Sequence, residues 1–331
     1  MADALLPAAV AIAVGAFCWL ATGVLIPVLR RRDMLDYPNE RSSHITPTPR
    51  GGGIAVTGSV LLAWIVLNKA GLVASSVIGI AAAASLLAVV SWIDDLRGLS
   101  PALRLVAQAI AVTIGILALP EARGEPDVWA GPALYFAIAG VLWVWWINLF
   151  NFMDGIDGLA VSEATTIGGG LLLFAVVGTG ADPAAAVLAA GIAGASVGFL
   201  AWNWSPARIF LGDVGSVPLG YLSGFLLLDL AVRGHWRIAL ILPLYFLADA
   251  TITLLRRLLS GERVWEPHRQ HFYQRAVRNG LGHAAVVKRV LAADFLLVGC
   301  GWAAENGRAM LSLSAAIVIV AVLLVALAAG R

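Results

Sequence analysis

The sequence predicts an all-α, polytopic integral membrane protein of about 11 transmembrane helices, with its N-terminus outside and its C-terminus cytoplasmic. Three observations carry that expectation. Apolar residues make up 60% of the chain and charged residues 13%, with a mean hydropathy of +0.88, whereas soluble domains carry about 25% charged residues. The apolar residues fall in runs close to the ~20 needed to cross a bilayer. The basic residues gather between alternate runs, as the positive-inside rule requires. A net charge of +2 with dispersed basic residues excludes a nucleic-acid groove. Cys18 and Cys300 both lie in apolar stretches and read as small buried hydrophobes, not a disulfide.

The runs lie near 5–29, 52–68, 72–93, 102–119, 132–150, 159–177, 184–202, 215–230, 238–255, 285–304 and 310–330. The first has no basic region before it and is too long for a cleavable signal peptide. Asp3 precedes it and Arg30, Arg31 and Arg32 follow, which sets the N-out start. Alternation then places 17 of the 22 basic residues on one side, assigned as cytoplasmic. The longest external connection runs from Glu121 to Gly131. Five cytoplasmic segments, 30–51, 94–101, 148–158, 203–216 and 256–284, hold nearly everything polar. With no internal repeat, linker or composition shift, residues 1–331 read as one domain whose cytoplasmic loops form the working surface.

Asn148 to Leu159 puts two amides, Asn148 and Asn151, and two acids, Asp154 and Asp157, directly after an apolar run. A carboxylate at mid-membrane depth costs about 2.5 to 3.5 kcal/mol on insertion scales, so these acids belong at a water-facing rim. Helix capping accounts for one acid and leaves the other, both amides and the adjoining Gly155 and Gly158 unexplained. Asp94 and Asp95 end another run. A polar helix terminus explains such a pair, but acids there oppose the helix dipole, so a cation or a basic partner such as Arg97 or Arg104 is expected to hold them. Asp213, between Gly212 and Gly215, enters a run at its N-terminal end. It reads as a capped turn or as a Mg²⁺ ligand beside backbone N–H groups that meet phosphate. Phe210 offers a ring for a base, or is a buried loop aromatic.

Asp36 to Gly53 combines three prolines, three consecutive glycines, Arg41, His44 and Arg50, a loop suited to phosphate approach. His268 and His271 share a face if helical. Without third and fourth ligands for zinc, phosphate contact with Arg269 and Arg275 is the preferred reading. Asp249 lies inside a run and is either functional or a hydrogen-bond anchor.

Together, in order along the whole chain, these motifs resemble the polyprenyl-phosphate N-acetylhexosamine-1-phosphate transferase superfamily (MraY/WecA type, glycosyltransferase 4 family). Pro-Thr-Pro-Arg-Gly-Gly-Gly and His-Arg-Gln-His-Phe-Tyr-Gln-Arg look most like the branch that initiates O-antigen and related surface glycans. The peptidoglycan branch has a lysine before its Thr-Pro-Thr-Met-Gly-Gly stretch and a longer histidine run. This chain has no lysine between residues 1 and 68, which argues against a UDP-MurNAc-pentapeptide substrate. The resemblance implies transfer of N-acetylhexosamine 1-phosphate from a UDP-sugar to undecaprenyl phosphate, releasing UMP, at the cytoplasmic face of a bacterial inner membrane. It implies Mg²⁺, with Mn²⁺ as an alternative, on Asp213 with Asp94 and Asp95, and His268 and His271 at the diphosphate. Asn151, Asp154, Asp157, Asn203 and Phe210 would hold the uridine, with Arg41, His44, Arg50, Gly212 and Arg269 completing the substrate site. A homodimer is also implied. A lipid phosphate is largely ionised near neutral pH, which favours single displacement. The rival readings are a secondary transporter, against which the acids gather on one face instead of at the midplane, and a CDP-alcohol phosphotransferase, whose Ala-Arg after Asp-Gly is missing here.

Overall fold

The computed structural model describes residues 2–38, 46–119, 132–178, 182–263 and 268–330. It is helical almost throughout: α1 (Ala2–Arg31), α2 (Gly53–Lys69), α3 (Ser76–Arg97), α4 (Pro101–Ala118), α5 (Pro132–Phe152), α6 (Leu159–Val177) and α7 (Pro183–Asn203) are followed by α8 (Asp213–Leu230), α9 (Trp236–Ile241), α10 (Leu244–Leu259), α11 (Phe272–Arg278), α12 (His283–Glu305) and α13 (Ala309–Ala328). The strands are a two-residue antiparallel pair, β1 (Leu35–Asp36) and β2 (Thr48–Pro49), with Leu35 opposite Pro49.

The chain is therefore an all-α polytopic membrane protein. Each of the 11 predicted runs lies on helix, and eight helical stretches among the described residues are long and apolar enough to cross a membrane. The other runs depart for visible reasons. α2 has 17 residues. α12 carries Lys288, Arg289 and Asp294. The run at 238–255 is split between α9 and α10 at Leu242–Pro243, where proline has no N–H to continue the helix. α11 is a short helix that apolar runs did not announce.

Lipid tails are as apolar as leucine, so membrane helices associate by close packing and buried hydrogen bonds. α8 is the central helix and uses both. Trp143 and Trp146 of α5 donate their indole N–H groups to the Tyr221 carbonyl (3.1 Å) and Ser223 Oγ (3.2 Å), and Tyr221 donates its hydroxyl to the Ala111 carbonyl of α4 at 3.0 Å. The Trp143 and Tyr221 rings stack at 4.9 Å. At its N-terminus α8 abuts that of α2, since a Cβ on Gly53 would fall 2.1 Å from the Gly215 nitrogen. Two helix starts thus meet where α3 ends.

Candidate active site

The segment before α8 is tied to the segment before α2 by main-chain bonds. Phe210 N–H donates to Pro49 O (2.8 Å), Gly51 and Gly52 donate to Phe210 O (3.2 and 2.9 Å), and Gly53 donates to Leu211 O (2.8 Å). Gly212 turns the chain into α8 with φ +72°, a left-handed conformation, and a Cβ there would lie 3.1 Å from Asp95 Oδ2. This clamp puts Arg50 Nη2 2.7 Å from Asp95 Oδ1 and 3.1 Å from Asp213 Oδ1. Asp95 Oδ2 accepts from Val214 N at 3.4 Å, while its Oδ1 has only the guanidinium beside it as counter-ion and no hydrogen bond. The Asp95 side chain is 5% exposed, against 41% for Arg50.

Asp154 adds a third acid from the α5–α6 loop. Burial above all, with the charges of Asp213 and Asp95 and against the opposing charge of Arg50, raises its pKa to about 7. Three carboxylates around one guanidinium are short of positive charge. A divalent cation fits that deficit. Among the described residues no three His, Cys, Asp or Glu side chains form a metal cage by themselves.

Asp94 points elsewhere. Its Oδ1 accepts from Leu99 N at 2.6 Å and its Oδ2 from Arg104 Nη1 at 3.1 Å. Arg104 is thus the basic partner the sequence anticipated, and both oxygens of Asp94 are engaged. Asp94, Arg104, Asn148, Asn151 and Asp213 line the polar end of a cavity of about 610 Å³. Its remaining walls are mainly apolar, with Leu105, Val141, Trp145, Leu254 and Leu258 among them. Asn151 accepts from Ser216 Oγ at 2.6 Å, and Asn148 pairs with Gln108, donating at 2.7 Å. A second cavity of about 230 Å³ is lined by Asp36, Arg50, Trp92 and Asp95 among others.

Asp157 and Asn203 brace loops. Burial pushes the Asp157 carboxyl up, but hydrogen bonding to His283 (3.2 Å), the charge of that ring and donation from Ala207 N (3.2 Å) outweigh it and lower its pKa. Asn203, buried, accepts from Gly158 N at 3.0 Å and donates to Ile209 O at 2.9 Å. Its amide therefore joins the 148–158 and 203–216 segments. His283 carried no motif signal in the sequence.

In the histidine segment, Asp249 proves to be an anchor. Fully buried, it accepts from Phe272 N (3.0 Å), Tyr273 N (3.2 Å), Tyr245 OH (3.2 Å) and Thr253 Oγ1 (3.4 Å), and faces His271 Nδ1 at 3.2 Å. It fixes the start of α11 and the His271 ring together. His268 stacks on His271 at 4.8 Å. Burial and then the His271 charge push the His268 pKa down to about 4. His268 is therefore neutral at pH 7, and because its Nδ1 accepts from Gln270 N (3.3 Å) its Nε2 carries the hydrogen. Tyr273 joins this segment to the acids, donating to Phe152 O at 3.0 Å and packing on Gly155. Sequence reasoning missed it, although it stands within the His-Phe-Tyr-Gln-Arg motif. Arg269 lies apart, in a different cavity from the acids. Arg41 and His44 fall outside the described residues.

Glycosyl transferase family 4 matches residues 77–231. The chain is 26% identical over 328 residues to the decaprenyl-phosphate N-acetylglucosaminephosphotransferase of Mycobacterium leprae, covering 85% of this chain and 78% of that one. It is 27% identical over 298 residues to the probable undecaprenyl-phosphate N-acetylglucosaminyl 1-phosphate transferase of Bacillus subtilis, covering 82% and 79%. With the phospho-N-acetylmuramoyl-pentapeptide-transferase of Kocuria rhizophila it shares 30% identity over 363 residues, 88% of this chain and 94% of the relative. On that extent of similarity, the chain belongs to glycosyl transferase family 4, the polyprenyl-phosphate N-acetylhexosamine-1-phosphate transferase superfamily.

Proposed function

We propose that this protein transfers N-acetylhexosamine 1-phosphate from a UDP-sugar to undecaprenyl phosphate, releasing UMP, as the first membrane step of a bacterial surface glycan. The carrying observation is the apolar cavity of about 610 Å³ that ends on Asp94, Asn151 and Asp213. A polyprenyl chain matches its walls and a phosphate its polar end. The names of the mycobacterial and Bacillus relatives support N-acetylglucosamine as the first sugar to test, and the missing lysine weighs against the muramoyl-pentapeptide substrate. The charge bias supports 11 spans, with the N-terminus outside and the site at the cytoplasmic face of the inner membrane.

In the reaction, an oxygen of the lipid phosphate attacks the sugar-bearing phosphorus. A new P–O bond forms as the bond to the bridging oxygen breaks, and the electron pair leaves on UMP. Asp213, with Asp95, would hold Mg²⁺, which when bound supplies charge neutralisation between two anionic substrates. Arg50 keeps both carboxylates aimed at one place and screens the incoming phosphate. Arg104 offers a second positive charge at the end of the lipid cavity while holding Asp94. His268 donates Nε2–H to a diphosphate oxygen as a neutral group, on a ring platform held by Asp249. Asp154 and Asn151 face the uridine, and Asp157 and Asn203 keep the two nucleotide loops in register.

The test is incubation of the purified protein with undecaprenyl phosphate, Mg²⁺ and a panel of UDP-N-acetylhexosamines that includes UDP-GlcNAc, UDP-QuiNAc and UDP-FucNAc, reading UMP and lipid product. Product from at least one sugar is expected. No product from any of them overturns the reading.

A further inference from the structure

Glu163 of α6 and Asp294 of α12 are acids that the transfer reaction does not use. Both are buried, at 0% and 1% exposure. Their helices run side by side in the same direction. Asp157, just before α6, meets His283 at the start of α12 at 3.2 Å. Farther along, a Cβ on Gly170 would come 3.3 Å from Val298, and one on Gly301 3.2 Å from the Phe174 ring. Between those levels the carboxyl groups of Glu163 and Asp294 lie within hydrogen-bonding reach of each other.

What surrounds that contact limits its chemistry. Both oxygens of Glu163 and Oδ1 of Asp294 receive no hydrogen bond from a donor group. The Thr166 hydroxyl, which faces the Glu163 carbonyl at 3.0 Å, reaches Asp294 Oδ2 at 3.4 Å. Among the described residues no lysine, arginine or histidine offsets either acid. The neighbouring α7 carries no ionisable side chain. Tyr245 of α10 is within range of the Glu163 charge, but it donates its hydroxyl to Asp249 at 3.2 Å. Two carboxylates this close in a low-dielectric interior cannot both ionise. A carboxylate also only accepts, so a hydrogen bond between the two requires a proton on one of them.

We propose that Glu163 and Asp294 share one proton in a carboxyl–carboxylate bridge that ties α6 to α12, and that they are thereby positioning residues for the nucleotide loop. That loop feeds directly into α6, and its Asp157 is held by the first residue of α12, so any parting of the two helices is passed to it. The positioning role rests on the proposed transfer reaction, whereas the bridge does not. Infrared spectra of the full-length protein at pH 8 should carry a protonated-carboxyl C=O band that is missing when Glu163→Gln and Asp294→Asn are combined. Equal intensity in both proteins overturns the bridge. Glu163→Ala should raise KM for the accepted UDP-sugar by about 3- to 10-fold with kcat within about twofold. Glu163→Gln, whose amide N–H donates to Asp294 without a shared proton, should keep KM within about twofold of wild type. A wild-type KM in Glu163→Ala overturns the positioning role. Should Glu163→Ala fail to fold, the infrared comparison, made on exchanges of equal size, still decides. The band needs no substrate, so a band without UMP release removes the transfer reaction and keeps the bridge. UMP release without the band difference does the reverse.

Discussion

The two ends of α8 carry the same charge motif and different surroundings. At its N-terminus Arg50 lies between Asp95 (2.7 Å) and Asp213 (3.1 Å). At its C-terminus Arg233 lies between Asp229 (2.8 Å) and Asp182 (3.1 Å). The first pair of acids is joined by a third, Asp154, and opens on cavities of about 610 and 230 Å³. The second encloses about 40 Å³, room for little more than water, and Asp182 is already used in capping α7 through Ala184 N and Ala185 N. Asp213 also sits at the helix end where an acid is favoured and a bound anion is stabilised. An arginine between two acids thus reads as a joint in one place and a candidate site in the other, and what separates them is the space beside it.

Breaking that contrast should give the largest effects at the N-terminal end. Asp213→Ala and Asp95→Ala are each expected to lower UMP release by about 10²- to 10³-fold, with folding intact by thermal unfolding. Near-normal rates would remove them from the site. Arg50→Gln should cost about as much, because Asp95 and the partly exposed Asp213 then lose their shared counter-ion, whereas Arg233→Gln should leave turnover within about threefold and lower stability by about 1–3 kcal/mol. A turnover loss in Arg233→Gln equal to that in Arg50→Gln would end the distinction between joint and site.

Smaller effects sharpen it. Asn203→Ala strands the Gly158 N–H and the Ile209 carbonyl, and is expected to cost about 1–3 kcal/mol of stability and to raise KM for the UDP-sugar more than it lowers kcat. The pH dependence of Asp154 has a defined sign. Its carboxyl titrates near 7 when folded and near 3.9 when unfolded, so the folded state holds an extra proton in between. The stability this contributes is fully present below about pH 4 and is lost as pH rises through 7. Asp154→Asn should therefore raise Tm at pH 8 by roughly 2–4 °C and leave it unchanged near pH 4. Millimolar Mg²⁺ should raise the wild-type Tm at pH 8 and have no effect on Asp213→Asn. Equal Mg²⁺ shifts in both proteins would place the cation elsewhere.

Much of this arrangement was readable before any coordinates. Long apolar runs and one-sided arginines define a polytopic helical membrane protein, because only closed backbone hydrogen bonding survives in lipid and charge sets the side on which loops remain. The acids at 94–95, 154, 157 and 213 stood out because carboxylates at the ends of apolar runs are costly without a role. Partner choice was less legible. Arg50 was a candidate in a proline- and glycine-rich loop, but its meeting with Asp95 and Asp213 depends on main-chain bonds between Pro49–Gly53 and Phe210–Leu211, which no periodicity records.

The sequence by itself determined the class of molecule, the membrane setting and the candidate polar residues, since composition and polarity follow from the solvent each segment must face. Only the tertiary structure decided that Asp94 belongs to Arg104, that Asp249 anchors His271 and α11, and that Arg269 faces a separate pocket. It also decided which end of α8 opens on the larger cavities. Those outcomes hang on close approaches between distant segments, down to a Gly53–Gly215 contact with no room for a Cβ, and spacing along a chain does not encode distance across it.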